Sequence, residues 1–187
     1  LTTQLTTLPN AKQWLNVDPG NLNADVLLTR LITAASAWIE AYLGRTIGIN
    51  SYSQAFNGRG SGAQTLVLPQ YPITTVTAVS VDGVPVTYSP GLLTSGFDYD
   101  QYCVYLAGYE FTKGLRNVSV SWQAGYSSVP FDIEQACIHL IASRFRERDR
   151  IDETSKNIQG MVVSFRITDL PPAVASMLQP YRRVMPV

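Results

Sequence analysis

Residues 23–45 read NADVLLTRLITAASAWIEAYLGR, and no other stretch restricts the fold as tightly. Val26, Leu27, Leu28, Leu31, Ile32, Ala35, Trp38, Ile39, Tyr42 and Leu43 recur at helical spacing and take up most of the circumference. Thr29, Thr33, Ser36 and Glu40 leave only a narrow polar stripe. Asn23 is the expected N-cap, and Asp25 puts a carboxylate in the first turn, where the helix dipole favours it. Gly44 is placed to end the helix in a left-handed turn. A helix this apolar has to be covered on more than one side. The cover expected is a helix at 131–147, a short helix at 8–16, and a neighbouring copy of the chain.

Charge narrows the function classes. Only 15% of the 187 residues are charged, and 14 Lys and Arg balance 14 Asp and Glu. A protein that grips nucleic-acid phosphates carries a basic excess, which this chain lacks. No uninterrupted apolar run approaches the ~18 residues of a membrane helix, so no membrane partner is expected. No secretory leader pattern stands at the start, and a first residue of Leu suggests a trimmed start. The 2 cysteines, Cys103 and Cys137, read as buried thiols in a reducing compartment. Spacing leaves a bond between them open.

The charges also divide the chain. Residues 46–130 hold seven charged residues, Arg59, Asp82, Asp98, Asp100, Glu110, Lys113 and Arg116, yet carry twelve of the 19 aromatics. Such a block reads as β structure. Asp82-Gly83 between two valine-rich runs predicts a type I′ hairpin. Strands are expected at 51–56, 64–68, 74–81, 84–88, 99–106 and 117–122. Five to seven antiparallel strands would make a small sandwich or an open barrel. Thr7 with Pro9 predicts the helix at 8–16. Asp132 after Pro130 is the expected cap of the helix at 131–147, whose apolar face is Ile133, Cys137, Leu140, Ile141 and Phe145. Asp152 to Gly160 reads as a polar loop. Met161 to Ile167 reads as a strand or extended arm, because Val163, Phe165 and Ile167 alternate. Pro171-Pro172 opens a last helix to about 179. The fold class is therefore α+β. A small bundle of N- and C-terminal helices, 1–45 and 131–187, carries an inserted antiparallel β sandwich or barrel-like domain at 46–130.

No constellation for chemistry emerges. The single histidine, His139, lies on a polar helix face, and neither a Cys-x-x-Cys nor a paired-histidine motif occurs, so no metal is expected. No Gly-x-Ser-x-Gly elbow occurs. Gly58-Arg59-Gly60-Ser61-Gly62 leads into a strand rather than a helix N-terminus, so it reads as a hairpin tip and not a phosphate cradle. Asp98 and Asp100 are expected on one face of a strand, as two surface acids without a third. No enzyme and no cofactor is expected. Arg144, Arg146, Arg148 and Arg150 interleave with Glu147 and Asp149. They suit a solvated helix C-terminus, inter-subunit salt bridges, or arginine anchors at a partner interface.

The order of these segments resembles a known family. A short helix, LPNAKQWLNVD from Leu8 to Asp18, precedes a long one ending AASAWIEAYLGR, with Tyr42, Gly44 and Arg45 at its end. Then come Leu66-Val67-Leu68-Pro69, Tyr71-Pro72-Ile73 and Val81-Asp82-Gly83, and at the end Leu170-Pro171-Pro172-Ala173-Val174, Leu178 and Pro180-Tyr181-Arg182. Together these resemble the head–tail connector, or adaptor, proteins of tailed bacteriophages, in their longer members with a β insertion. The resemblance implies a virion structural protein of the neck, assembled in the host cytoplasm. It implies a homo-oligomeric ring of twelve copies under the portal protein. Such a ring extends the channel for double-stranded DNA, without sequence-specific binding, and docks the next neck or tail protein. It makes Met161 to Val187 the portal-facing segment, with Met161, Val163, Phe165, Tyr181, Arg182 and Arg183 as interface candidates beside the four arginines. The alternative is a carbohydrate- or peptide-binding module on the tyrosine-rich β block, through Tyr88, Tyr99, Tyr102, Tyr105 and Tyr109.

Overall fold

Helix α1, Leu8–Leu15, begins where the Thr7 hydroxyl accepts the Asn10 N–H at 3.4 Å and Pro9 presets the first turn. It stops at Asn16, whose left-handed φ of 55° lets its N–H bond back to the helix. The computed structural model describes residues 3–148, 155–158, 161–164 and 170–183. They fall into two compact units, one helical, from Leu1–Gly44 and Val129–Arg182, the other β, from Arg45–Ser128 with Arg183–Val187.

In the helical unit, α2 spans Asp25–Leu43 and ends at Gly44 with φ 69°. Its start differs from expectation. A 3-10 turn, Leu22–Ala24, leads in, and Asn21 rather than Asn23 caps it by accepting the Asn23 N–H at 3.1 Å. Only one stripe of α2 is buried: Leu28, Ile32, Ala35, Ser36, Ile39 and Leu43. It packs against α3, Phe131–Glu147, whose buried face includes Ile133, Cys137, Leu140 and Ile141. Phe145, expected on that face, is only half-buried. Pro130 stands at the cap position of α3, so Asp132 lies inside its first turn, where it still favours the dipole. Ser36 is buried, not outward, because it accepts the Leu5 N–H at 3.0 Å and meets the Cys137 thiol. Trp38 and Tyr42 stack at 5.4 Å and cover each other. Leu22 in the lead-in turn and Val26 in α2 stay 73% exposed, so this side of the helix is uncovered among the described residues. By length and composition Leu22–Leu43 could cross a membrane, a reading that counting uninterrupted apolar runs misses. Its fully buried stripe on α3 makes it the core helix of this unit.

Lys12 is the buried polar residue that organises the α1–α2 connection. Its ammonium donates to the carbonyls of Pro19 at 2.9 Å and Asn21 at 3.1 Å and pairs with Asp25 at 2.5 Å. Helix α4, Pro172–Leu178, buries Val174 and Leu178 and packs on α3.

The β unit holds seven strands. They are β1 (Asn50–Gly58), β2 (Thr65–Val67), β3 (Ile73–Val81), β4 (Val84–Val86), β5 (Gly96–Tyr99), β6 (Cys103–Ala107) and β7 (Gly114–Ala124). One antiparallel sheet runs β1-β7-β3-β4 and the other β2-β6-β5. Val118, Val120, Trp122 and Ala124 of β7 alternate inward and meet Val76 and Val79 of β3 and Val104 and Leu106 of β6 in one core. The two sheets stay separate, so this is a small sandwich and not a barrel. Asp82 and Gly83 take φ 52° and 80°, the two positive values of a type I′ turn. The expected strand at 99–106 is instead the β5–β6 hairpin, because Asp100 turns the chain. Its Oδ1 accepts the N–H groups of Tyr102 and Cys103, both at 2.7 Å.

The helical part of the chain also contains a ribbon of β8, Ser155–Ile158, and β9, Met161–Ser164. The polar loop expected at 152–160 is therefore partly a strand. Phe165, Ile167 and Arg150 lie outside the described residues.

Trp122 fills the β core at 2% exposure, against the rings of Tyr52 at 5.4 Å and Phe56 at 6.1 Å. Trp122→Ala is expected to destabilise the β unit by about 3–5 kcal/mol, read as a lowered midpoint of chemical denaturation.

Candidate assembly surfaces

The arginine run sits at the C-terminal end of α3. Arg144 is half-buried, and Arg146 and Arg148 are exposed. The Arg148 guanidinium lies 4.2 Å from the Phe145 ring centroid, and Glu147 accepts the Ser143 hydroxyl at 2.8 Å. The cations thus stand where the helix presents its free carbonyls. Beside them a concavity of about 530 Å³ is lined by Trp14, His139, Ser143, Arg146 and Glu147. A second, of about 630 Å³, lies across Trp14 and is bounded by Asn10, Phe131, Asp132 and Ile138. Trp14 is 49% exposed and Phe131 87% exposed, so this α1–α3 face presents two large aromatic rings to solvent. His139 packs its ring on Trp14 at 5.2 Å, as part of that face rather than as a ligand.

Of the C-terminal candidates, Tyr181 and Arg182 are engaged within the helical unit. Tyr181 donates its hydroxyl to Asp132 at 3.4 Å, and the Arg182 guanidinium lies 5.6 Å from the Tyr42 ring. Arg183 is half-buried. Met161 and Val163 belong to the β8–β9 ribbon, paired with Ile158 and Lys156. Arg150 and Phe165 cannot be placed, lying outside the described residues.

Two features escaped the sequence. Arg45 is 3% exposed, lies 3.9 Å from the Tyr71 ring and 5.5 Å from the Tyr126 ring, and donates to the Tyr71 carbonyl at 2.9 Å. The Tyr42-x-Gly-Arg pattern marked the position but not this cation–π clamp inside the β unit. Asn117 is the other. Its Oδ1 accepts the Gly58 N–H at 2.9 Å and its Nδ2 donates to Asp82 and to the Thr112 carbonyl, each at 2.9 Å. Gly58 is required there, since a Cβ would sit 1.8 Å from the Thr112 carbonyl oxygen.

The acids are structural. Asp98 and Asp100 do not share a strand face. Asp98 accepts the N–H groups of Gly91 and Tyr99, and Asp100 also accepts the Tyr105 hydroxyl at 2.8 Å. The tyrosines chiefly contact one another and the core: Tyr88 meets Phe97 at 5.4 Å and Tyr99 at 5.8 Å, and Tyr71 meets Tyr102 at 5.4 Å. Among the described residues no cluster of His, Cys, Asp and Glu could hold a metal. Among the described residues, the α1–α3 face exposes apolar rings and the end of α3 exposes cations. Exposed apolar surface of this kind is suited to contact with other proteins.

The family model for head completion proteins matches residues 4–184, and the chain belongs to that family. It is a structural subunit of the head–tail neck, in a family that is not a class of enzymes. No curated protein matches the sequence. Solved structures share the fold. A chain in the neck of an empty gene transfer agent particle, determined with C6 symmetry, superposes with a TM-score of 0.59 at 19% identity, covering 100% of this chain and 92% of that one. A chain of the native gene transfer agent virion gives 0.60 at 19% identity, with the same coverage. One in the native neck, determined with C12 symmetry, gives 0.56 at 17% identity, covering 100% and 97%.

Two outcomes test the local chemistry. Burial, opposed by the nearby Ser36 hydroxyl, pushes the Cys137 thiol up to about 11, whereas Cys103 is half-buried and less shielded. A thiol reagent at neutral pH is expected to label Cys103 at least about tenfold faster than Cys137 in the native protein, and both once unfolded, by mass spectrometry. Burial pushes the Asp100 carboxyl up, but the N–H groups of Tyr102 and Cys103 and the Tyr105 hydroxyl outweigh it and hold it below 3.8. The Thr112 hydroxyl and the Asn117 amide do the same for Asp82. Because the folded values are depressed, the unfolded chain binds more protons near pH 4. This stabilisation is present above the ordinary carboxylate value and disappears as pH falls through the folded value. Asp100→Asn is expected to flatten the acid loss of β-unit stability below about pH 4, measured by denaturation at each pH.

Proposed function

We propose that the chain forms a ring in the neck of a tailed-phage-like particle, between the portal protein at the capsid vertex and the next neck or tail component. Twelve copies line a channel through which double-stranded DNA passes without sequence-specific contact. The subunit assembles in the host cytoplasm and ends in the virion neck. The observation that carries this reading is the family match across residues 4–184, spanning both the helical segments and the β block. Likeness to neck chains solved with C6 and C12 symmetry supports a ring. The zero net charge supports a conduit that lets DNA slide, since phosphate contacts would grip it.

In this reading the connector core is 1–45 with 131–187, and 46–130 is an insertion it carries. Arg144, Arg146, Arg148 and Arg150 bridge to the neighbouring copy. Met161, Val163, Phe165, Tyr181, Arg182 and Arg183 belong to the portal-facing segment. Exposed Trp14, Leu22, Val26 and Phe131 supply apolar contact beyond the chain's own core.

The triple variant Arg144→Glu, Arg146→Glu and Arg148→Glu is expected to keep its fold, losing only about 1–2 kcal/mol of stability at the helix C-terminus. It is expected to give no ring when mixed with the portal protein, seen by electron microscopy. Rings of normal size from this variant would remove the arginines from the interface. Failure of the unaltered protein to form any ring or portal complex would remove the reading itself.

A further inference from the structure

Each sheet of the β unit has two outer strands, and three of the four are blunted. β4 is three residues long with Pro85 at its centre, and β2 is three residues long with Pro69 soon after it. β5 has four residues, among them Gly96 and Asp98. Short length, proline and charge are the usual means by which sheet edges avoid pairing with other chains. β1 has none of them, and its register shift against β7, between Phe56 and Gly58, leaves Asn50–Phe56 regular. It runs nine residues, NSYSQAFNG, without a charge or a proline. Its inner edge pairs with β7 from Asn50↔Ala124 to Phe56↔Val118. Its outer edge has no strand beside it among the described residues. An edge this long and unguarded is suited to receiving a strand.

The same chain carries a ribbon with the opposite deficiency. β8 and β9 pair from Ser155↔Ser164 to Ile158↔Met161 and form a two-stranded sheet of their own. A lone two-stranded ribbon is marginally stable in water. We propose that in the assembled ring the β8–β9 ribbon of one copy adds to the outer edge of β1 in the next copy, continuing the β1-β7-β3-β4 sheet across the subunit boundary. A four-residue strand needs less than half of the nine-residue edge. Main-chain hydrogen bonds hold such an added strand with little demand on side chains. Donor and acceptor are different surfaces of one chain, so the contact is head-to-tail and closes a ring when the rotation allows. The inference rests on the ring reading above and deepens it.

Hydrogen exchange tests it on the unaltered protein, free and as the ring formed with the portal. The amides of Asn50–Gly58 that point away from β7 are expected to exchange about tenfold or more slowly in the ring. Replacing residues 155–164 by Gly-Ser of equal length is expected to return those amides to the rate of the free subunit. A ring that leaves β1 exchange unchanged overturns the proposal and spares the ring reading. Protection already complete in the free subunit also overturns it, since the edge would then be covered within one chain. So does undiminished protection in a ring of the Gly-Ser variant. If no ring forms at all, the ring reading fails and this inference falls with it.

Discussion

The pairing of β7 with strands far from it in sequence is the constraint on which the β unit depends. β7 lies between β1 and β3, so Trp122 is opposite Tyr52 on one side and Val76 on the other. Those partners are 70 and 46 positions away, and closing such loops costs chain entropy before any contact repays it. The repayment is the shared core, where β7 contributes Val118, Val120, Trp122 and Ala124. Everything between β3 and β7 has to turn back quickly for this pairing to form. Asp82 and Asp100 sit at two of those turns, and Asn117 near the start of β7 bonds Gly58, Asp82 and Thr112, so that polar groups at the turns are paired.

The helical unit follows a different logic. Its contacts are apolar stripes at helical spacing, with α2 on α3 and α4 beside α3. Two polar details give that packing its register. Ser36 takes the Leu5 N–H, which ties the segment before α1 to the middle of α2. Lys12 ties the turn before α2 to α1 through two carbonyls and Asp25. A buried ammonium is costly unless it is paired and hydrogen-bonded, and here it is both.

Membership of the head completion proteins gives the leftover surface a meaning. In a monomer the exposed Trp14, Phe131, Leu22 and Val26 would be unusual company for a chain with so few charges. For a neck subunit, such exposed apolar side chains are suited to contact with other chains. Of the tyrosines that favoured a binding module on the β block, Tyr88 packs on Phe97 and Tyr99 and Tyr102 packs on Tyr71, while Tyr88, Tyr102 and Tyr109 keep much of their surface exposed.

Much of this was legible in sequence because it depends on neighbours along the chain. The periodicity of α2, the Thr7 cap, the Asp82-Gly83 turn and the alternation of β7 are local, and local preferences determine them. The helix starts differ from expectation because Asn21 caps a 3-10 turn that leads into α2, and α3 begins directly after Pro130 with no side-chain cap bond. The strand expected at 99–106 broke because the turn-forming bonds of Asp100 override β propensity. The roles of Arg45, Asn117 and Lys12 needed the tertiary structure, since their partners are distant in sequence or meet them only after a turn. So the sequence by itself determined the α+β class and most helices and strands. Only the tertiary structure decided sandwich over barrel, which apolar residues stayed outside, and which strand edge was left open. Those outcomes depend on non-local pairing, and no periodicity along a chain encodes the address of a partner 70 residues away.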